Sequence, residues 1–113
     1  MRFKKRYHKE ASYLVSLAYK ARREGLLSLS DELTNIKDRF LLIGLNLIID
    51  GTDRDIVEKV LDNLIKQEVF KSNRKIREIQ KSGLLSIQCG NNPRVMLILM
   101  NSYVKENEIL VES

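Results

Sequence analysis

The sequence predicts an all-α fold, a small bundle of about five or six helices, on three observations. Apolar residues recur at steps of three and four along most of the chain, which is the spacing that keeps them on one face of a helix. Glycines stand where these runs end, and short polar residues stand where the next ones begin, in the manner of helix stops and caps. The 113 residues contain one proline, and it falls at a helix start rather than inside a run. A hydrophobic content of 43% with 31% charged residues is globular rather than disordered, so residues 1–113 read as a single domain, long enough to bury roughly two thirds of its unfolded surface.

From Lys4 to Glu24 the positions Tyr7, Ala11, Leu14, Ala18 and Ala21, with Val15 and Leu17 beside them, form one stripe of an amphipathic helix. Lys20, Arg22 and Arg23 sit in its last turn and Gly25 stops it. Leu26 to Leu29 reads as a tight connection. Ser30, followed by Asp31 and Glu32, reads as the cap of a short helix running to about Ile36. Asp38 is placed to cap the next helix, Phe40 to Ile49, which is apolar nearly all round and so must be buried among others, with Gly51 as its end. Thr52 or Asp53 then caps a helix with the stripe Ile56, Val57, Val60, Leu61, Leu64 and Ile65, leaving Arg54, Lys59, Asp62 and Lys66 to solvent.

Between Gln67 and Ser82 the pattern thins to Val69, Phe70, Ile76 and Ile79 among Lys71, Arg74, Lys75, Arg77 and Lys81. This stretch is an exposed helical extension or a junction between two pieces. The closing unit is better marked: Gly90 stops a helix, Asn92 caps the next, and Pro93 holds its first position, where a missing N–H costs nothing. Val95 to Met100 alone would also suit a buried strand; the Asn-Pro start argues for helix, which Tyr103 and Val104 extend. After Lys105 a polar tail is expected. The core is expected to pack around Phe40 to Ile49, completed by the last helix.

Twenty basic and 15 acidic residues give a formal charge of +5, but they are interspersed, which favours solvated helix faces. The one local excess is Arg2, Lys4, Lys5, Arg6 and Lys9. It would suit phosphates, anionic headgroups or plain solvent. With mixed charge and no aromatic stacking platform, a small basic module binding nucleic acid is disfavoured.

Catalysis finds no footing in the residue inventory, and the chain is expected not to be an enzyme. There is no glycine-rich phosphate loop, and Asp31-Glu32 is better explained as a helix cap than as a catalytic carboxylate pair. The single histidine, His8, lacks a ligand-spaced partner, and the single cysteine, Cys89, excludes an internal disulfide, so neither metal nor cofactor is expected. No apolar run approaches the roughly 20 residues of a membrane-spanning helix, and the N-terminus lacks a secretory pattern; the chain itself is expected to be soluble.

Two segments, Ala21-Arg22-Arg23-Glu24-Gly25-Leu26-Leu27-Ser28-Leu29 with FLLIGLNLIIDG (40–51), and GLLSIQ (83–88) with Gly90, Asn92, Pro93 and Arg94, resemble the cytoplasmic part of MotA-type flagellar stator proteins. The resemblance implies that residues 1–68 correspond to the loop after the family's second membrane helix and residues 72–113 to the tail after the fourth. The membrane helices that should separate them are absent, by engineering or by truncation. It further implies a cytoplasmic domain at the bacterial inner membrane. The full-length parent would form a homo-pentamer around a MotB-type partner, and torque from ion flow would reach the rotor protein FliG through charged residues. The family's rotor-facing arginine falls at Arg22, beside Arg23; its acidic partner falls at Ser30, a departure that leaves Asp31 or Glu32 to supply the acid. The cluster Arg2, Lys4, Lys5, Arg6 and Lys9 then becomes the membrane-proximal foot of a lost helix. An energiser of proton-driven outer-membrane transport, from the same wider superfamily, is the alternative.

Overall fold

A computed structural model describes residues 2–105, with side chains from Lys5 onward. Among them there is no strand: the chain forms α1 (Arg2–Glu24), a 3-10 segment (Leu26–Asn35), α2 (Arg39–Ile49), α3 (Arg54–Lys66), α4 (Lys71–Cys89) and α5 (Pro93–Asn101). The polar tail expected after Lys105 lies outside the described residues.

Local signals account for most boundaries. The Asp38 carboxylate accepts from the backbone N–H groups of Phe40 and Leu41, satisfying two donors that the first turn of α2 leaves without partners. Asn92 does the same for Arg94 with Pro93 behind it, and Gly90 closes α4 in the left-handed conformation (φ 75) that costs glycine nothing. The cap expected at Ser30 does not form. The 3-10 winding begins directly after Gly25, and Ser28 and Ser30 donate their hydroxyls back to the carbonyls of Gly25 and Leu27. Leu26 and Leu29, three residues apart, eclipse on such a spiral, and Leu29 is fully buried.

The thin stretch 67–82 is not an exposed extension, because most of it belongs to a helix with a buried face. Chain reversal takes only the few residues between Lys66 and Lys71, and α4 then runs unbroken for 19 residues, burying Ile76, Ile79, Gln80, Gly83, Leu84, Leu85, Ser86 and Ile87. It packs against α1, α2, α3 and α5, so α4, not α2, is the axis of the core. Gly83, one of the glycines expected near an element end, is mid-helix. A Cβ there would lie 2.9 Å from Cδ1 and 3.3 Å from Cβ of Leu14, so the missing side chain is what lets α1 and α4 approach. Contacts advance together along these two helices, Arg6 to Asn73, Glu10 to Gln80, Leu14 to Gly83 and Arg22 to Gly90, which makes them parallel.

Phe40, Leu41, Leu45 and Ile48 of α2, and Val57, Leu61 and Ile65 of α3, enter the core as expected. Ile56, at the start of α3, is instead 51% exposed. Asp62, expected in solvent, pairs with Lys81 of α4 at 2.6 Å, and Glu58 meets the same ammonium at 3.4 Å. α5 stops at Asn101, short of Tyr103, and buries Met96 and Met100 while Val95, Ile98 and Leu99 stay largely in solvent.

Candidate functional site

The charged residues singled out from the sequence gather where α1 meets the 3-10 segment. Arg22 and Arg23 are both exposed in the last turn of α1, where a cation is favoured by the helix dipole. The Arg22 guanidinium reaches toward the Gly90 carbonyl at 3.5 Å, and Arg23 lies 3.8 Å from its neighbour Glu24 in a well-solvated pair. Arg22 thus leans over a shallow cleft of about 210 Å³ between α1 and the end of α4, lined by Ala18, Leu26, Gln88 and Cys89 among others.

Asp31 and Glu32 do not face these arginines. Gly25 folds the 3-10 segment back along α1, and both acids meet Lys20, Glu32 at 3.1 Å and Asp31 at 3.5 Å. The hydrogen bond that Lys20 donates to Glu32, ahead of the opposing effect of desolvation, holds the Lys20 ammonium above its ordinary pKa. On the other side of Glu32, burial first and then this carboxylate push the Tyr13 hydroxyl up. Glu32 is therefore engaged inward, whereas the Asp31 side chain is 72% exposed and can be shared with another molecule. Ser30 is exposed and carries no charge to replace either acid.

Sequence reasoning left Lys20 among the ordinary cations of a helix end. Its spacing of 11 and 12 residues from the two acids, across a glycine that reverses the chain, is the signal that would have found it. Of the N-terminal basic cluster, Lys5, Arg6 and Lys9 are exposed, while the Arg2 and Lys4 side chains lie outside the described ones.

A second charged assembly lies at the opposite end of α4. Arg77 bonds Asp38 at 2.7 Å and Glu68 at 3.1 Å, stands 5.3 Å from the centre of the Phe40 ring, and donates to Gln80, whose amide in turn reaches Glu10 and Asp38. Every member has a partner, so this network joins α1, α2, the α3–α4 turn and α4 without leaving a charge unpaired. Among the described residues no group of three His, Cys, Asp or Glu side chains is placed to hold a metal ion.

Fold and surface together define a small all-α domain whose polar groups are used for holding helices together and for presenting charge at the end of α1. The sequence is, over part of its length, similar to MotA-type motility proteins. It is 50% identical over 48 residues to Motility protein A of Borreliella burgdorferi, a match covering 42% of this chain and 18% of that protein. Identity to Motility protein A of Treponema phagedenis is 35% over 61 residues, 54% of this chain and 24% of the relative. The protein YtxD of Bacillus subtilis, itself uncharacterized, is 42% identical over 69 residues, 61% of this chain and 25% of its own. The chain thus spans a quarter or less of the length of the curated relatives it matches. No family model and no solved structure matches it.

Proposed function

We propose that the chain is the cytoplasmic part of a flagellar stator protein of the MotA type and carries the surface that pushes on the rotor. The similarity to several proteins named Motility protein A is the observation that supports this reading most directly. In the full-length protein this part would hang from the inner membrane on its cytoplasmic side, in a homo-pentamer around a MotB-type partner. Its own chemistry would be electrostatic recognition of FliG, with Arg22 and Arg23 as the cations and Asp31 as the acid. Glu32, the other acid that the resemblance offers for that role, is engaged with Lys20 at 3.1 Å, which makes Asp31 the freer of the two.

Such contacts suit a motor that steps. Solvated ion pairs each contribute on the order of 0 to 1 kcal/mol, so they steer and orient a partner without holding it. Arg22 adds a geometric element, because its guanidinium reaches toward the Gly90 carbonyl at the seam of α1 and α4.

The test is an NMR titration of this chain with the C-terminal domain of the cognate FliG, repeated with Arg22→Glu and across salt from about 50 to about 300 mM. Shifts clustered on the last turn of α1 and on the 3-10 segment, weakened several-fold by salt and by the substitution, are expected. Shifts elsewhere, or indifferent to Arg22→Glu, would overturn the assignment of this surface.

A further inference from the structure

The cleft between α1 and the end of α4 has an apolar floor and a cationic lip. Ala18 and Ile87 are almost fully buried at its base, Ala21 and Leu26 line it half-buried, and the exposed Cys89 stands in its wall. Its volume, about 210 Å³, falls below the roughly 300–1,000 Å³ of pockets that hold small-molecule ligands and suits one large side chain of another protein. Backbone bonds hold both walls: the Gly25 N–H donates to the Ala21 carbonyl at 2.8 Å, and the Asn91 N–H to the Ser86 carbonyl at 3.0 Å. The hollow is therefore formed before anything enters it. At the lip, Arg22 reaches only the uncharged Gly90 carbonyl among the described residues, so its charge and most of its N–H donors stay available. Leu27, the residue after Leu26, adds a side chain that is 73% exposed.

We propose that this cleft is an anchor pocket: it receives one apolar side chain of the rotor protein, next to a carboxylate on that protein which the Arg22 guanidinium meets. The inference rests on the stator reading for the identity of the partner, and it adds to a charge-steered surface one contact that salt does not screen. The chemistry of the cleft selects this occupant. An apolar floor favours an aliphatic or aromatic side chain over a polar one, and the unpaired cation at the lip calls for an acid beside it. Preformed pockets that desolvate a single side chain carry a large share of the affinity of protein interfaces, while the charges around them set orientation and on-rate. A shallow hollow for one side chain also fixes register without making the contact permanent, as repeated stepping requires.

Cys89 is the single cysteine of the chain and is exposed in the cleft wall, so the pocket can be plugged on the folded protein. The experiment measures the affinity of the full chain for the C-terminal domain of the cognate FliG, before and after reaction of Cys89 with N-ethylmaleimide, at about 50 and about 300 mM salt. The unmodified chain is expected to keep measurable binding at the higher salt. Plugging is expected to weaken binding by about tenfold or more at both, the factor that burial of one large apolar side chain supplies. Arg22→Glu is expected to weaken it mainly at the lower salt. Cys89→Ala should bind as the parent does and ignore the reagent. Ala21→Met, which fills the cleft from α1 with a good helix former, should weaken binding as plugging does and leave the helical spectrum unchanged. Parent-like affinity of the plugged chain, with Arg22→Glu still weakening it, would overturn the pocket and leave the stator reading standing. An equal loss in Cys89→Ala treated with the reagent would overturn it as well. No binding of the unmodified chain at either salt would overturn the stator reading and the pocket together.

Discussion

Asp38 shows how much one side chain can organise. One carboxylate oxygen caps α2, and the other receives Arg77 at 2.7 Å and the Gln80 amide at 3.1 Å. Burial, the largest single influence, pushes its pKa up, but the hydrogen bonds from Arg77 and Gln80, the Arg77 charge and the Leu41 N–H together bring it below the ordinary carboxylate value. The stability this contributes is present in full above the unfolded-state pKa of about 3.9 and is lost as pH falls through the lower folded value. Asn is as good a helix cap as Asp, so Asp38→Asn spares the cap and removes the ion pair. We expect it to cost about 1–2 kcal/mol at pH 7, since the pair is only partly solvated, and the gap from the parent to close below about pH 4. Urea unfolding at pH 7, 5 and 3 measures this; a gap independent of pH would mean that the Asp38 charge does not stabilise the fold. The cap was readable from Asp38 preceding an apolar run. Its second role was not, because Arg77 lies 39 residues away and looked like one more cation in a polar stretch.

At the scale of elements, the chain was legible wherever punctuation is local. Asp38, Gly51, Gly90 and Asn92-Pro93 each mark a boundary through hydrogen bonds or backbone angles within a few residues, and each boundary is where those signals put it. α4 was misread because its first half carries its apolar residues sparsely and its middle holds a glycine, a residue that in a helix is usually unfavourable by about 1 kcal/mol. Tertiary packing reverses that preference, since Gly83 is where Leu14 of α1 comes closest. Gly83→Ala would gain about 1 kcal/mol of helix propensity but must displace the Cβ and Cγ of a fully buried leucine, both 3.3 Å away, and overpacking of that kind costs about 1–3 kcal/mol. We expect a net loss of about 1 kcal/mol, seen as a melting temperature lower by about 4–8 °C. A rise would mean that Leu14 can yield, and that the α1–α4 crossing is looser than its distances suggest. The 3-10 segment was illegible for a different reason: its cap-like Ser30 bonds backward within the spiral, a choice that no motif in the sequence encodes.

Taken as a molecule, the chain consists of two stretches that the resemblance assigned to separate parts of a longer protein, and the packing makes them interdependent. α4 contributes Ile76, Ile79, Leu84, Leu85 and Ile87 to the core, worth about 7–15 kcal/mol at the usual value of a buried apolar side chain. That is as large as the whole stability of a typical small domain, about 5–15 kcal/mol. Without it, α1 would expose Leu14, α2 the neighbourhood of Gly44 where Leu84 inserts, and α3 its Asp62 and Glu58 without the lysine that pairs with them. Conversely, α4 and α5 alone have each other and little else to bury against. Separate polypeptides 1–68 and 69–113 should therefore each show little cooperative helical structure by circular dichroism. Mixed at micromolar concentration they should regain the spectrum of the intact chain in a single transition, because loss of the connecting turn costs translational entropy but no core contact. Cooperative melting of 1–68 by itself would show instead that α1, α2 and α3 form a self-sufficient unit, onto which α4 docks as a separable part.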